Sequence, residues 1–204
     1  AAMTQPSSST AVAAHGDVPV VAFVGGGNMA RSLIAGLLRQ GAPASAIRVA
    51  EPVAELRQAL SADFGVQVFD DARSAVEGAA LWVLAVKPQV LSTVCTPLGD
   101  LAQQQHPLLL SIAAGITATQ LERWCGGTAA VVRAMPNTPA LLGAGVTGLY
   151  ANARVSAAQR TQATRLLESA GVTVWLDDEA QMDAVTAVSG SGPEHDRLRR
   201  ALEF

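Results

Sequence analysis

Aromatic residues are scarce in this chain. Phe, Trp and Tyr together account for 4% of the 204 residues, although half of all residues are hydrophobic. A core with so few aromatic rings has to be built from Ala, Val, Leu and Ile, which are the residues that fill sheets covered by helices on both faces. The composition therefore favours an α/β fold, with one large domain or one domain and part of another.

The chain also lacks a strong excess of either charge. Its Lys and Arg residues number 14 and its Asp and Glu residues 17, for a formal net charge of −3. The chain therefore lacks the excess of basic residues that is typical of proteins that bind nucleic acid or an anionic membrane. No apolar run reaches the roughly 20 residues needed to span a bilayer. A small-molecule partner is therefore expected, without nucleic acid or membrane.

Cysteine and histidine are equally sparse. Cys95 and Cys125 are too few for a disulfide framework, and they predict free thiols in a reducing cytoplasm. The histidines, His15, His106 and His195, show no metal-ligand spacing, so no metal site is expected. No G-x-S-x-G motif or evident Cys/His pair indicates a covalent nucleophile. The sequence therefore identifies no catalytic residue by itself.

What the chain does contain is an apolar run, Val20–Val24, that ends in three glycines and leads into a helical pattern. Gly25, Gly27 and Ala30 fit the dinucleotide-binding fingerprint G-x-G-x-x-G/A. The first glycine permits a sharp turn, the second lets a pyrophosphate approach the backbone, and a small third residue lets the helix pack on its strand. A merely flexible turn is the alternative. The strand before and the helix after favour a dinucleotide site.

Two further loops are expected to meet the glycine turn at the carboxyl edge of the sheet. The loop Ala85–Pro88 follows the most apolar run of the chain, and the loop Ile112–Gly115 follows the next predicted strand, Leu108–Ser111. Lys87 is the one charge in these loops. It either contacts a ribose or phosphate, or it is a solvated residue at the end of a strand.

Glu51 follows the second predicted strand, Ile47–Ala50, and lies 24 positions after Gly27 (51 − 27). An acid at this place can accept a hydrogen bond from the ribose 2′-hydroxyl of NAD(H), and it would repel a 2′-phosphate. A surface carboxylate favoured by the dipole of the following helix is the alternative. The sequence leaves both possibilities open.

Strand and helix patterns alternate from Val18 onward, which predicts a doubly wound, mostly parallel Rossmann sheet with helices on both faces and right-handed crossovers. Capping boxes are expected at Thr117 with Gln120 and at Ser156 with Gln159. We predict a disordered leader over residues 1–17 and a dinucleotide-binding domain over residues 18–177. Residues 178–193 are expected to begin a C-terminal helical domain, and residues 194–204 form a charged tail.

Three more segments accompany the glycine turn, namely Ala85–Pro88, Met135–Pro139 and Asp183–Pro193. In this order and at these distances they resemble the pyrroline-5-carboxylate reductase family. The resemblance covers about residues 18–193. It implies a Rossmann domain that binds NADPH or NADH, a C-terminal helical domain that forms a dimer and completes the active site, and reduction of the C=N bond of 1-pyrroline-5-carboxylate to L-proline.

The resemblance also implies a set of site residues. The pyrophosphate would be held by Gly25, Gly26, Gly27, Asn28, Met29 and Ala30. The nicotinamide end would be lined by Ala85, Val86, Lys87, Pro88, Ile112, Ala113 and Ala114. The wall of the substrate pocket would include Asn137 and Thr138. Because the cofactor carries the hydride and a protonated imine is already electrophilic, no protein nucleophile is required.

The chain departs from the family pattern in two ways. Ala72 and Glu51 stand where the family often has Asn and Ser, which leaves the choice between NADPH and NADH open. After Pro193 the chain has a charged tail in place of the long apolar helix, so the family's dimer interface is expected to be absent. A non-catalytic dinucleotide-binding module and another Rossmann imine reductase or dehydrogenase are therefore the alternatives.

Overall fold

The computed structural model describes residues 18–136 and 145–184. Eight strands form one sheet: β1 (Val21–Val24), β2 (Ile47–Ala50), β3 (Gln67–Phe69), β4 (Leu81–Leu84), β5 (Leu108–Ser111), β6 (Ala130–Pro136), β7 (Gly145–Ala151) and β8 (Gly171–Trp175). Their order is β3-β2-β1-β4-β5-β6-β7-β8, and every neighbouring pair is parallel except β6 with β7. The predicted doubly wound, mostly parallel Rossmann sheet is confirmed.

Seven α-helices lie wholly within the described part of the chain, and residues 181–184 are also helical. The seven are α1 (Asn28–Arg39), α2 (Ala54–Phe64), α3 (Ala72–Val76), α4 (Pro88–Cys95), α5 (Gly99–Gln105), α6 (Ala118–Trp124) and α7 (Ala157–Glu168). Both capping boxes are present, at the starts of α6 and α7. Asp71 caps α3 by accepting a hydrogen bond from the backbone N–H of Ser74 at 2.8 Å.

Two local predictions from the sequence are wrong. Pro52 directly follows Glu51 and suits the first turn of a helix, but α2 begins only at Ala54, with Val53 as its N-cap. The spacing of Leu91, Val94, Leu98 and Leu101 predicts one helix across the region that contains α4 and α5. Here Thr96–Leu98 forms a 3₁₀ turn between them. Pro97 lies in this turn, and because proline has no backbone N–H it cannot continue the hydrogen bonding of a long α-helix.

The core has two layers because each strand sends alternate side chains to opposite faces of the sheet. On one face, Phe23 and Val83 pack with helices α1, α2 and α7. On the other face, Trp82 and Leu84 pack with helices α3 to α6. The rings of Phe23 and Trp82 are completely buried. Two aromatic rings therefore lie at the centre of the sheet, and aliphatic side chains fill most of the core around them.

The register of the strands brings four of their carboxyl ends level. Val24, at the end of β1, is opposite Ala50 on one side and Leu84 on the other, and Leu84 is opposite Ser111. The strand order reverses at β1, which lies between β2 and β4. In doubly wound sheets, ligands bind in the crevice beyond the carboxyl ends at such a reversal. The fold thus places the loops after β1, β2, β4 and β5 at one edge.

The contact between α1 and α7 gives a first prediction. A methyl group built on Gly36 of α1 would lie 2.1 Å from Cβ of Ser169 at the end of α7. We expect Gly36→Ala to lower the free energy of unfolding by about 1–3 kcal/mol through overpacking. Urea denaturation would measure this loss. Ser169→Gly in the same chain should recover most of it, and a loss that persists in the double variant would contradict the packing explanation.

Several expectations fall on residues outside the described ranges. They concern the leader over residues 1–17, the pocket residues Asn137 and Thr138, and the chain from residue 185 onward. Among the described helices, none is both long enough and apolar enough to cross a lipid bilayer.

Candidate functional site

The glycine turn after β1 fits tightly against the exit of β4. Gly25 has a φ of +103° and donates a backbone hydrogen bond to the carbonyl of Ala50 at 2.9 Å. A Cβ at Gly25 would lie 2.5 Å from the carbonyl oxygen of Ala85. Only glycine adopts this backbone conformation at low cost. The turn is therefore fixed by its neighbours on both sides, β2 and β4.

Gly27 shows the opposite situation, with space beside it. It is the N-cap residue of α1, its φ of −75° is open to any residue, and it is solvent-exposed. A Cβ built there would meet no described atom within 4 Å. The first backbone N–H groups of α1 have no acceptor within the helix and carry its partial positive charge. The hollow and the helix terminus fit a pyrophosphate group.

Glu51 lies beside this turn, at the end of β2, and is 9% exposed. Its backbone N–H donates to the carbonyl of Phe69 at 2.9 Å, and a Cβ built on Gly26 would lie 3.5 Å from its Cβ. Burial raises the pKa of Glu51, while the backbone N–H of Gly26 and the charge of Arg57 oppose that rise. Glu51 is therefore largely covered, and its role toward a ribose stays a prediction.

The two other loops line the same edge. Ala85 donates to the carbonyl of Val24 at 2.8 Å, which ties the loop after β4 to β1. Lys87 is exposed at the N-cap of α4, and Pro88 is the first residue of that helix. Ile112 donates to the carbonyl of Leu84 at 3.3 Å, which holds the loop after β5 against β4. Adjacent strands thus carry the predicted cofactor residues.

In the loop after β5, the side-chain oxygen of Ser111 accepts a hydrogen bond from Ala113 at 3.2 Å. Ala113 is buried and Ala114 is exposed. The structure therefore brings the predicted pyrophosphate, ribose and nicotinamide residues together, and their roles toward a cofactor stay predictions. Asn137 and Thr138 lie outside the described residues. In the described ranges, no group of three or more His, Cys, Asp or Glu side chains could hold a metal ion.

An ion pair near this edge was missed by the sequence reasoning. Arg133 on β6 has a side chain that is 5% exposed, and its Nη1 donates to Oε1 of Glu179 at 2.9 Å. The same oxygen accepts from the backbone N–H of Ala118, the first residue of α6, at 2.7 Å. From the sequence alone, the acids of Asp177–Glu179 stand at the start of a predicted helix and indicate helix capping. An arginine inside an apolar strand was the available signal, because a buried charge needs a partner.

Asp178 behaves closer to that prediction. Its Oδ1 accepts a hydrogen bond from the backbone N–H of Ala180 at 3.0 Å. Glu179 instead contacts Arg133 on the sheet. The acidic segment thus contributes both a local hydrogen bond, from Asp178, and an ion pair, from Glu179. The Arg133–Glu179 pair borders a cavity of about 310 Å³ that Gly115, Thr117, Ala180 and Asp183 also line.

Comparisons with known proteins agree with this architecture. The family described as NADP oxidoreductase, coenzyme F420-dependent, matches residues 20–115. A pyrroline-5-carboxylate reductase from Pseudomonas aeruginosa is 54% identical over 177 residues, which cover 87% of this chain and 64% of that protein. The chain thus spans a little under two thirds of the length of this curated relative.

Solved structures give the same result. A pyrroline-5-carboxylate reductase from Coxiella burnetii is 36% identical with a TM-score of 0.83, and the match covers 88% of this chain and 67% of that one. A Plasmodium falciparum pyrroline carboxylate reductase, solved with NADP bound, is 24% identical with a TM-score of 0.74, over 88% of this chain and 65% of that one. This second likeness concerns the fold alone.

Proposed function

The chain belongs to the pyrroline-5-carboxylate reductase family, and on that premise we propose that it is the cofactor-binding portion of an NAD(P)H-dependent reductase. The reaction would reduce the C=N bond of 1-pyrroline-5-carboxylate to give L-proline. The observation that carries the proposal is the open space beside Gly27, at the N-terminus of α1 and at the reversal of the strand order.

In this proposal each loop at the carboxyl edge has one task. The turn from Gly25 to Ala30 holds the pyrophosphate with backbone N–H groups, because side chains are absent or small there. Glu51 faces the adenosine ribose. The loops Ala85–Pro88 and Ile112–Ala114 line the nicotinamide end. When bound, the cofactor supplies the hydride, and the protein supplies binding and orientation.

We propose residues 18–177 as the dinucleotide-binding domain, because its last strand, β8, still pairs with the sheet up to Trp175. Residues 178–193 would begin the helical domain, and Asn137 and Thr138 would form part of the substrate pocket. The resemblance to the family supports a homo-oligomeric whole protein with a small-molecule substrate. A cytoplasmic location is supported by Cys95 and Cys125, which are free and buried.

The function can be tested in two stages. Calorimetric titration of the 204-residue chain with NADH and NADPH should show binding. A chimera of residues 18–184 with the remaining C-terminal part of the Pseudomonas aeruginosa relative should then form proline from 1-pyrroline-5-carboxylate. Absence of nucleotide binding would contradict the cofactor role. A folded, cofactor-binding chimera that forms no proline, beside an active relative, would contradict the proposed substrate.

A further inference from the structure

We propose that Glu51 makes this chain select NADH over NADPH, and that Arg57 holds Glu51 in place instead of binding a phosphate. This inference rests on the proposed function and adds the identity of the cofactor. It starts from the position of Glu51, which follows β2 directly and lies beside the glycine turn. A Cβ built on Gly26 would lie 3.5 Å from Cβ of Glu51.

The side chain of Glu51 starts directly beside the middle glycine of the turn, because a Cβ built on Gly26 would lie 3.5 Å from its Cβ. The backbone N–H of Gly26 also acts to lower the pKa of the Glu51 carboxyl. In dinucleotide-binding folds, an acid at the end of the second strand meets the adenosine ribose. A ribose with free 2′- and 3′-hydroxyl groups can donate hydrogen bonds to such a carboxylate. The geometry therefore suits NADH.

The arginines that could instead neutralise a 2′-phosphate are already engaged. Nη1 of Arg57, on α2, donates to the carbonyl oxygens of Glu51 and Pro52 at 2.7 and 2.9 Å. Arg31, near the start of α1, pairs with Asp63, and its guanidinium lies 4.9 Å from the ring centroid of Phe64. Each arginine thus has one terminal nitrogen engaged within the chain, and a 2′-phosphate would compete with these contacts for the guanidinium.

Electrostatic repulsion between Glu51 and a 2′-phosphate also favours NADH over NADPH. A 2′-phosphate carries roughly 1.5 to 2 negative charges at neutral pH, and it would be placed beside a carboxylate that is largely shielded from water. Like charges a few ångströms apart repel even in water, and they repel more strongly near a protein surface because the effective dielectric constant is lower. We therefore expect NADH to bind at least about tenfold more tightly than NADPH.

The experiment is a set of calorimetric titrations of the 204-residue chain with NADH and NADPH. The unaltered chain should prefer NADH by about tenfold or more. Glu51→Gln keeps the size of the side chain and an acceptor for Gly26, and Glu51→Ser removes both charge and bulk. Each should bring the ratio of the two dissociation constants to about one or reverse it. Glu55→Ser, an equal charge change at an exposed position in the first turn of α2, should leave the ratio unchanged.

Arg57→Gln separates positioning from phosphate binding. If Arg57 holds Glu51 in place, the substitution should weaken NADH binding more than NADPH binding and so lower the preference for NADH. A selective loss of NADPH affinity would instead identify Arg57 as a phosphate ligand and overturn that part of the inference. Thermal denaturation of each variant confirms that it is folded.

The outcomes distinguish this inference from the proposed function. If the unaltered chain binds neither nucleotide, the proposed function itself fails. If it binds both equally, or prefers NADPH, the inference fails and the proposed function stands. This ratio is measured without any substitution, so it decides the question even if a variant does not fold. An unchanged ratio in a folded Glu51→Gln variant would also overturn the role of Glu51.

Discussion

Gly27→Val is expected to weaken dinucleotide binding by at least about a hundredfold, or roughly 2.7 kcal/mol, and to leave the fold intact. The reason is that Gly27 borders open space in the described structure, and its φ of −75° suits a branched residue. The new side chain would fill the hollow that the pyrophosphate needs. Calorimetric titration with NADH measures the loss.

Stability is the control for this prediction. Because valine is a poorer N-cap residue than glycine, Gly27→Val should cost no more than about 1 kcal/mol of unfolding free energy. Gly27→Ala should give an intermediate loss of affinity. Gly25→Ala should behave differently, since it strains a positive φ and places a methyl group against the backbone of Ala85. Wild-type affinity in a folded Gly27→Val variant would disprove the assignment of this turn as the pyrophosphate site.

Glu179→Ala is expected to have the largest effect on stability. It would leave the guanidinium of Arg133, 5% exposed, without its counter-charge, and the N–H of Ala118 without its acceptor. Removing one partner of a buried pair costs about 3–5 kcal/mol. Because the Glu179 side chain is 25% exposed, we expect a cost near the lower end of that range. The melting temperature should fall by about 5–10 °C.

A second Glu–Arg pair provides the matched control. Glu122, on α6, pairs with Arg154 at 2.6 Å, and the arginine side chain is 49% exposed. Exposed ion pairs contribute about 0–1 kcal/mol. Glu122→Ala should therefore lower the melting temperature by only a few degrees at most. Equal shifts for the two variants, measured by calorimetry, would show that burial of Arg133 does not set the strength of its pair.

Local features of the chain were predictable because they depend on neighbours in sequence. The strand Ile47–Ala50 and the strand Leu108–Ser111 have the predicted bounds. Apolar runs of this length, bounded by turns, can hardly form anything else in a chain that alternates strand and helix. The capping boxes followed from side chains three residues apart. Rossmann topology followed from that alternation and from the handedness of crossovers.

The start of α2 and the break between α4 and α5 were less predictable. Both depend on the position of a proline relative to a helix end. Pro52 or Pro97 can be accommodated just before a helix, in its first turn, or in a turn between two helices. The 3₁₀ turn at Thr96–Leu98 allows α4 and α5 to pack on the same core layer, with Cys95 and Leu98 buried between them. Where these helices begin and break is determined by packing, and it produces no periodic pattern in the sequence.

The sequence alone determined that a glycine turn lies between a strand and a helix, and that further loops follow neighbouring apolar strands. Tertiary structure decided which groups meet at that edge: Glu51 with the glycine turn at Gly26, and Arg133 with Glu179, which lie 46 residues apart. Periodicity specifies which face of an element is buried. Pairing of charges across the sheet depends on where distant elements dock, and that follows from burial of the whole core.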